Sequence, residues 1–374
     1  MHNSLVTLLS AFLLANLTWG AEDPILNIVR DGGNVRVSWP ALATGFALEQ
    51  ASGSPGSLTW SRVVGEISQV ADRYEVIAPI TGDRQYFRLA SPSVQAEMVL
   101  IPAGTFQLGD AFAEGWAGEL PLQSVFVSAF LIEKNLVTGE LWRDVSHWAY
   151  GHGYGFDFDA LSRGPNHPVY KMNWFDVVKW CNARSEKEGL TPVYYTDPTH
   201  MEIFRIGHVD LSNYDVDWSA NGYRLPTEAE YEKAARGGRM GQRFPWGDTI
   251  TQSQANYMSD PRYDYDVSPT RGYHPTYAVG RAPFTSPVGS FPANEFGLFD
   301  MTGNLFEWCW DWYDLFSERP QATSDPRGLD SWSYRVLCGG AWDYYAFSSR
   351  CSARTSMDPR LGTEDVGFRC VRGR

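Results

Sequence analysis

The chain has 374 residues and a formal net charge of −13 at pH 7. This acidic balance argues against a nucleic-acid partner, because a nucleic-acid-binding surface needs clustered Lys and Arg side chains. Only 20% of the residues are charged, whereas 15 Trp, 19 Tyr, 20 Phe and 35 Gly are present. The length suits two domains, and the composition predicts a loop-rich globule with large rings in its core, not a disordered or coiled-coil chain.

The N-terminus resembles an export signal. An apolar run from Leu5 to Leu14 precedes small residues between Thr18 and Ala21. This length is typical of a signal peptide and is too short for a membrane span. Because no Lys or Arg precedes the run, an unprocessed N-terminus remains the alternative. We expect residues 1–21 to be a signal peptide, the mature protein to be secreted or periplasmic, and no later segment to span a membrane.

Short apolar runs between residues 25 and 92 predict a small β-sandwich. The runs include "VRVSW", "RYEVIA" and "QYFRLA", and Gly, Pro, Ser and Asp residues separate them at the spacing of antiparallel strands. The pattern resembles the fibronectin-type-III-like modules of secreted bacterial proteins. We therefore expect a small β-sandwich domain at residues 22–92 and a linker at residues 93–97.

The remaining region, residues 98–374, contains three predicted helices. One begins after Thr138, and a second begins after Asn173. The third has Thr227 as its N-cap and Glu230 three residues later, which is the pattern of a capping box. Loops and short strands are predicted between the helices.

Six sequence blocks follow one another between residues 98 and 372. In chain order they are "MVLIPAGTFQLGD", "HPVYKMNWFDVVKWCNA", "GYRLPTEAEYEKAARGG", "FPWGD", "SPVGSFPANEFGLFDMTGNLFEWCWDWY" and "GFRCVR". Together they resemble the formylglycine-generating enzyme, or sulfatase-modifying factor, family. The resemblance implies an irregular α+β fold related to C-type lectins, with little regular structure and with bound calcium.

The segment "DMTGNLFE" is a candidate calcium loop. It places Asp300 and Glu307 seven residues apart, with Gly303 between them to allow a tight turn. Calcium prefers hard oxygen ligands such as carboxylates and backbone carbonyls. A turn capped by two solvated acids is the alternative. The resemblance implies that the ligands are the side chains of Asp300 and Glu307 and the carbonyls of Gly303 and Leu305.

A second calcium site of the family is implied at the segment "ANYM". Its ligands in this chain would be Asn256 and Tyr257. The sequence departs from the family pattern nearby, because Gly280 stands where the family has an acidic residue.

The segment "LCGGAWDYYAFSSRCSAR", residues 337–354, corresponds to the copper site of the family. The active enzymes have a serine after two glycines, and two cysteines further along that bind copper(I). Here Ala341 replaces the serine and Tyr344 replaces the first cysteine, while Ser349 stands five residues after Tyr344. Copper(I) prefers soft thiolate ligands. We therefore expect neither a copper site nor the family's catalytic residues in this segment.

The five cysteines contain no CxxC pair, which makes zinc ligation an unlikely use for them. The resemblance implies a disulfide between Cys181 and Cys370. Cys351 is then either free or paired with Cys309 or Cys338.

Two functions remain open from the sequence. One is a secreted oxidase that converts a sulfatase cysteine to formylglycine. The other is a calcium-stabilised binding module that presents Tyr344, Tyr345, Phe347 and Arg350 to a protein, peptide or glycan ligand, because aromatic and polar side chains commonly form such surfaces. The rings could instead fill the core, as we expect for Trp342. We favour the binding module and expect a monomer.

Overall fold

The computed structural model describes residues 26–40, 47–52, 61–63, 67–80, 84–90, 97–313 and 323–373. The chain divides into two compact units after Gln95. The predicted signal peptide, residues 1–21, and most of the predicted linker lie outside the described residues. No helix in the described ranges has both the length and the apolar character needed to cross a membrane.

The first unit consists of two antiparallel sheets around one apolar core. Its strands are β1 (Asn27–Asp31), β2 (Asn34–Pro40), β3 (Ala47–Ser52), β4 (Ser61–Arg62), β5 (Ser68–Val70), β6 (Arg73–Pro79) and β7 (Gln85–Ala90). The strand orders are β1-β2-β6-β5 and β4-β3-β7. Val35, Val37 and Trp39 alternate along β2 and share the core with Leu48 and Phe87 of the other sheet. The two sheets form the sandwich that the alternating apolar pattern predicts.

The second unit combines three helices with short strands and long loops. Its described helices are α1 (Gly139–Tyr150), α2 (Trp174–Lys187) and α3 (Glu228–Ala235). Its described strands are β8 (Met98–Ile101), β9 (Gly104–Leu108), β10 (Gln123–Val127), β11 (Phe130–Glu133), β12 (Tyr223–Arg224), β13 (Phe306–Trp312), β14 (Arg335–Cys338), β15 (Arg354–Met357), β16 (Val366–Gly367) and β17 (Val371–Arg372). They form sheets of order β10-β9, β12-β17-β11-β8 and β15-β14-β13-β16. This is the irregular α+β architecture that the sequence predicts.

All three helices begin at the residues expected from the sequence. The side chains of Thr138 and Asn173 accept hydrogen bonds from the first turns of α1 and α2. At α3, the Thr227 hydroxyl accepts from the Glu230 backbone N–H at 3.2 Å, and the Glu230 carboxylate accepts from the Thr227 N–H at 2.9 Å. These bonds satisfy N–H groups that have no partner within a helix. The predicted caps are confirmed.

Helix α2 is buried on every side, whereas its sequence indicates a single apolar face. All residues from Trp174 to Ser185 are buried. Charged side chains in such a position need partners, because an unpaired buried charge is costly. Arg184 pairs with Glu133 of β11, and its Nε lies 3.0 Å from Glu188 Oε1. Ion pairs of this kind allow a polar helix to occupy the core.

Asp311 of β13 holds the start of α3. Its Oδ2 accepts a hydrogen bond of 2.7 Å from the backbone N–H of Glu228, the first residue of that helix. Burial, together with the nearby Glu228 carboxylate, raises the pKa of Asp311 from 3.8 to about 7. A raised carboxyl pKa means that the folded protein favours the protonated form. Ionisation of Asp311 therefore costs stability as the pH rises between these two values.

We predict that Asp311→Asn flattens this part of the pH dependence. The amide keeps a hydrogen-bond acceptor for α3 but cannot ionise. The free energy of unfolding of the variant minus that of the wild type should rise by on the order of 2 kcal/mol when the pH is raised from about 5 to about 8. Urea denaturation across this range measures the difference. Parallel stability curves for the two proteins would contradict the assignment.

Candidate functional site

The segment that follows β14 is bonded through its backbone to the candidate calcium loop. The Gly303 N–H donates to the Gly339 carbonyl at 2.7 Å, and the Trp342 N–H donates to the Asn304 carbonyl at 3.0 Å. The Asn304 N–H in turn donates to the Asn256 carbonyl at 2.8 Å. The two segments implied by the resemblance as separate calcium sites therefore contact each other, and the candidate calcium loop is bonded to the segment that leads to Tyr344.

Gly303 is required by this close approach. Its φ is +76°, a left-handed conformation that L side chains rarely adopt. A Cβ atom at Gly303 would lie 2.5 Å from the carbonyl oxygen of Asn256, well inside van der Waals contact. The glycine therefore allows the loop and the Asn256 backbone to pack together.

Asp300 and Asn256 each present an unpaired buried oxygen. The Oδ1 atom of each side chain has no hydrogen-bond partner, whereas Asp300 Oδ2 accepts from the Gly289 N–H at 2.8 Å. Asp300 also lines a cavity of about 10 Å³, roughly the space of one water molecule. Burial raises the pKa of the Asp300 carboxyl to about 6. An unpaired carboxylate oxygen such as Asp300 Oδ1 fits a hard cation such as calcium.

The other predicted calcium ligands have protein partners or are backbone groups. Both carboxylate oxygens of Glu307 accept hydrogen bonds of 2.7 Å from Arg369. The Tyr257 carbonyl accepts from the side chain of Gln252 at 2.9 Å. No three His, Cys, Asp or Glu side chains converge in the part of the chain that the structure describes. A calcium ion in this loop would share Glu307 with Arg369 and would need carbonyl oxygens such as that of Leu305.

Ala341 and Tyr344 differ in their exposure. Ala341 is fully buried, whereas Tyr344 is 41% exposed and packs edge-to-face on Phe306 with a centroid distance of 4.7 Å. Beside it, burial and the Asp365 carboxylate raise the pKa of Asp343 to about 6. The Oδ1 atom of Asp343 has no hydrogen-bond partner. The exposed phenol therefore stands next to a carboxylate with one oxygen that no described residue pairs.

Tyr345 and Phe347 belong to an aromatic cluster that the sequence does not reveal. Tyr263 lies 6.0 Å, centroid to centroid, from each of these rings. The 59% exposed Trp116 packs edge-on against Phe347 at 5.6 Å, and the Arg262 guanidinium lies 4.9 Å from the centre of Tyr345. Trp116 and Tyr263 are far from Tyr345 in the chain, and no local pattern links them. Only the fold brings these rings together.

Arg350 is not part of the exposed surface, which corrects its prediction as a ligand contact. The residue is 1% exposed. Its two terminal nitrogens bind Glu119 at 2.7 and 2.9 Å, and Asp110 lies 3.4 Å away. Its Nε donates to the Phe347 carbonyl at 2.9 Å. Two carboxylates draw the guanidinium inward, so that Arg350 fixes the turn that carries Phe347.

All five cysteines are buried free thiols in this structure. The sulfurs of Cys181 and Cys370 lie 3.7 Å apart. Their disulfide stays a prediction that peptide mapping of the non-reduced protein can test. Cys309, Cys338 and Cys351 share one apolar cluster, and burial raises the pKa of Cys351 to about 12.

Comparison with known proteins identifies relatives over most of the chain. The family model described as "Sulfatase-modifying factor enzyme 1-like domain" matches residues 86–374. The formylglycine-generating enzyme of Streptomyces coelicolor is 33% identical over 303 residues, covering 75% of this chain and 91% of that protein. The enzyme of the same name from Thermomonospora curvata is 30% identical over 306 residues, covering 76% and 96%. Among solved structures, Treponema denticola variable protein 1 superposes with a TM-score of 0.54 and 26% identity, covering 83% of this chain and 99% of that one.

We predict that Arg350→Ala lowers the free energy of unfolding by about 3 kcal/mol or more, because it leaves buried carboxylates without their cation. Arg350→Lys should lower the free energy of unfolding by a smaller amount, since a lysine keeps the charge but cannot reproduce the bidentate pair. Tyr344→Ala, the control at the exposed ring, should cost about 1 kcal/mol or less. Denaturant titration of the purified variants measures all three. A stable Arg350→Ala protein would show that Arg350 is not a structural residue.

Proposed function

Because the chain belongs to the sulfatase-modifying factor family, we propose that it is a secreted member whose calcium-stabilised domain binds a ligand instead of oxidising a sulfatase cysteine. The ligand would be a protein, a peptide or a glycan. Copper-dependent oxidation is the alternative, and the relatives named formylglycine-generating enzyme support it. The observation that carries our proposal is the pair of residues at the family's catalytic positions, Ala341 and Tyr344.

The state of the remaining thiols also supports binding over oxidation. Copper(I) is held by thiolates, so a ligand cysteine must lose its proton and reach the metal. Cys338 and Cys351 are the thiols within the rebuilt segment, and they are only 3% and 5% exposed. Burial raises the pKa of both. Neither thiol is placed to act as the copper ligand that the family has at the position of Tyr344.

The surroundings of Tyr344 favour a peptide or protein segment that carries a cationic side chain. Asp343 and Asp365 both lie close enough to raise the pKa of the Tyr344 phenol, after the effect of burial. Glu364 adds a third carboxylate to Asp343 and Asp365. A Lys or Arg side chain would give these carboxylates a partner, while its apolar stem packed on the exposed ring.

Calcium would stabilise the loop that supports the Tyr344 surface. In our proposal the Asp300 carboxylate and a shared Glu307 hold the ion, with the backbone carbonyls of Gly303 and Leu305 completing the ligand set. The bound ion would balance the Asp300 charge and tighten the loop. Since that loop is hydrogen-bonded to the segment before Tyr344, loss of calcium should also weaken ligand binding.

We predict that the protein binds Lys- or Arg-containing peptides on a peptide array more strongly than it binds matched peptides with Gln at those positions. Tyr344→Ala and Asp343→Asn should each weaken this binding about tenfold, equivalent to about 1.4 kcal/mol. Tyr214→Ala, which removes a 69% exposed tyrosine elsewhere, is the control. Equal binding of both peptide sets, or equal loss in the control, would sink the proposed surface.

We predict that calcium raises the melting temperature by several degrees relative to a chelator. At a concentration about 100-fold above Kd, binding adds about 2.7 kcal/mol to stability. Asp300→Asn should abolish the shift, and Asp264→Asn at an exposed acid should keep it. Metal analysis of the purified protein provides the second readout. If the protein contains no calcium and melts at the same temperature in chelator, the calcium proposal fails while the ligand surface stays open to test.

A further inference from the structure

A cavity of about 290 Å³ lies at the opposite end of the β13–β14 ladder from Tyr344. Its lining includes Asp210, Trp312, Trp332, Tyr334, Asp358 and Arg360. Trp312 pairs with Arg335 at the cavity end of the ladder, and Glu307 pairs with Cys338 at the other end. The seven residues of β13 span about 20 Å. The cavity is therefore separate from the surface proposed above.

The floor of the cavity is a rigid tryptophan. Trp312 is 3% exposed, and its indole N–H has no hydrogen-bond partner. The fully buried Arg335 guanidinium lies 3.4 Å from the centre of the Trp312 ring. Arg335 also donates to the carbonyl of Leu211, the residue after Asp210, at 2.9 Å. One buried cation thus holds both the floor and one wall in place.

The rim combines exposed rings with paired charged side chains. Trp332 and Tyr334 are each 48% exposed. Arg360 stands between two carboxylates, 3.8 Å from Asp210 and 3.4 Å from Asp358. The lining therefore carries two carboxylates and one guanidinium, and Arg360 is shared between the two acids. An anionic ligand would meet the two carboxylates, and a cationic ligand would have to displace Arg360 from them, which favours a neutral polar ligand.

We propose that this cavity binds a neutral saccharide, independently of any ligand at Tyr344. Aromatic rings pack against the C–H face of a sugar ring, which is the role of Trp332 and Tyr334. Asp210 and Asp358 accept hydrogen bonds from sugar hydroxyls, since each carboxylate oxygen has two lone pairs. Arg360 donates hydrogen bonds to the hydroxyl oxygens of the sugar. The volume lies at the lower end of the range for ligand pockets and suits one or two sugar units.

Saturation-transfer NMR on the full chain tests this site. The probes are glucose, galactose, mannose and N-acetylglucosamine with their disaccharides, and glucuronate and glucosamine serve as charged controls. We expect transfer to at least one neutral saccharide. Trp332→Ala and Arg360→Ala should each weaken its affinity about tenfold. Tyr344→Ala, the matched aromatic variant at the opposite end of the ladder, should leave the affinity unchanged.

Three results would overturn the proposal. These are no transfer to any neutral saccharide, preferred binding of a charged control, or a loss of affinity in Tyr344→Ala without one in Arg360→Ala. The Arg360 side chain is 56% exposed, so its removal should not unfold the protein. Arg360→Ala therefore decides the question if Trp332→Ala proves unstable.

Discussion

The buried ion pair between Glu307 and Arg369 joins the elements that carry both candidate surfaces. Neither side chain is exposed, and two parallel hydrogen bonds of 2.7 Å connect them. The remaining nitrogen donors of Arg369 reach the carbonyls of Glu133 and Phe299, at the end of β11 and beside the candidate calcium loop. Removal of one partner would leave an unpaired charge in the core, at a cost of about 3–5 kcal/mol. Strand β13 and the loop before it are held in place by this pair.

The same pair sets the charge balance of the candidate calcium loop. Arg369 neutralises Glu307, but no described Lys or Arg forms an ion pair with Asp300, the second carboxylate of the loop. A buried carboxylate in that position either takes up a proton or binds a cation. A change in the charge of Asp300 would also affect the neighbouring backbone. The Gly303 N–H, in the tight turn of this loop, donates a hydrogen bond to the Gly339 carbonyl, which precedes Ala341 and Tyr344.

Much of the architecture could be predicted from the sequence because it depends on local chemistry. The capping box at Thr227 and the alternating residues of β2 act over a few positions, and both are present in the structure. The role of Arg350 could not be predicted, because its partner Glu119 lies 231 positions away in the chain. In the sequence, an arginine beside aromatic residues suggests a ligand contact. Only the fold shows that two carboxylates bind this arginine inside the protein. The cavity at Trp312 could not be predicted for the same reason, since it combines four separate stretches of the chain.

The chain belongs to the sulfatase-modifying factor family, and our proposal is that Ala341 and Tyr344 occupy the positions that copper chemistry requires. The most direct test is incubation of the purified protein with copper(I), oxygen and a sulfatase peptide containing Cys-x-Pro-x-Arg, followed by mass spectrometry. The formylglycine-generating enzyme of Streptomyces coelicolor serves as the positive control. Our account predicts that the peptide cysteine stays unchanged. Copper-dependent conversion of that cysteine to formylglycine would contradict it.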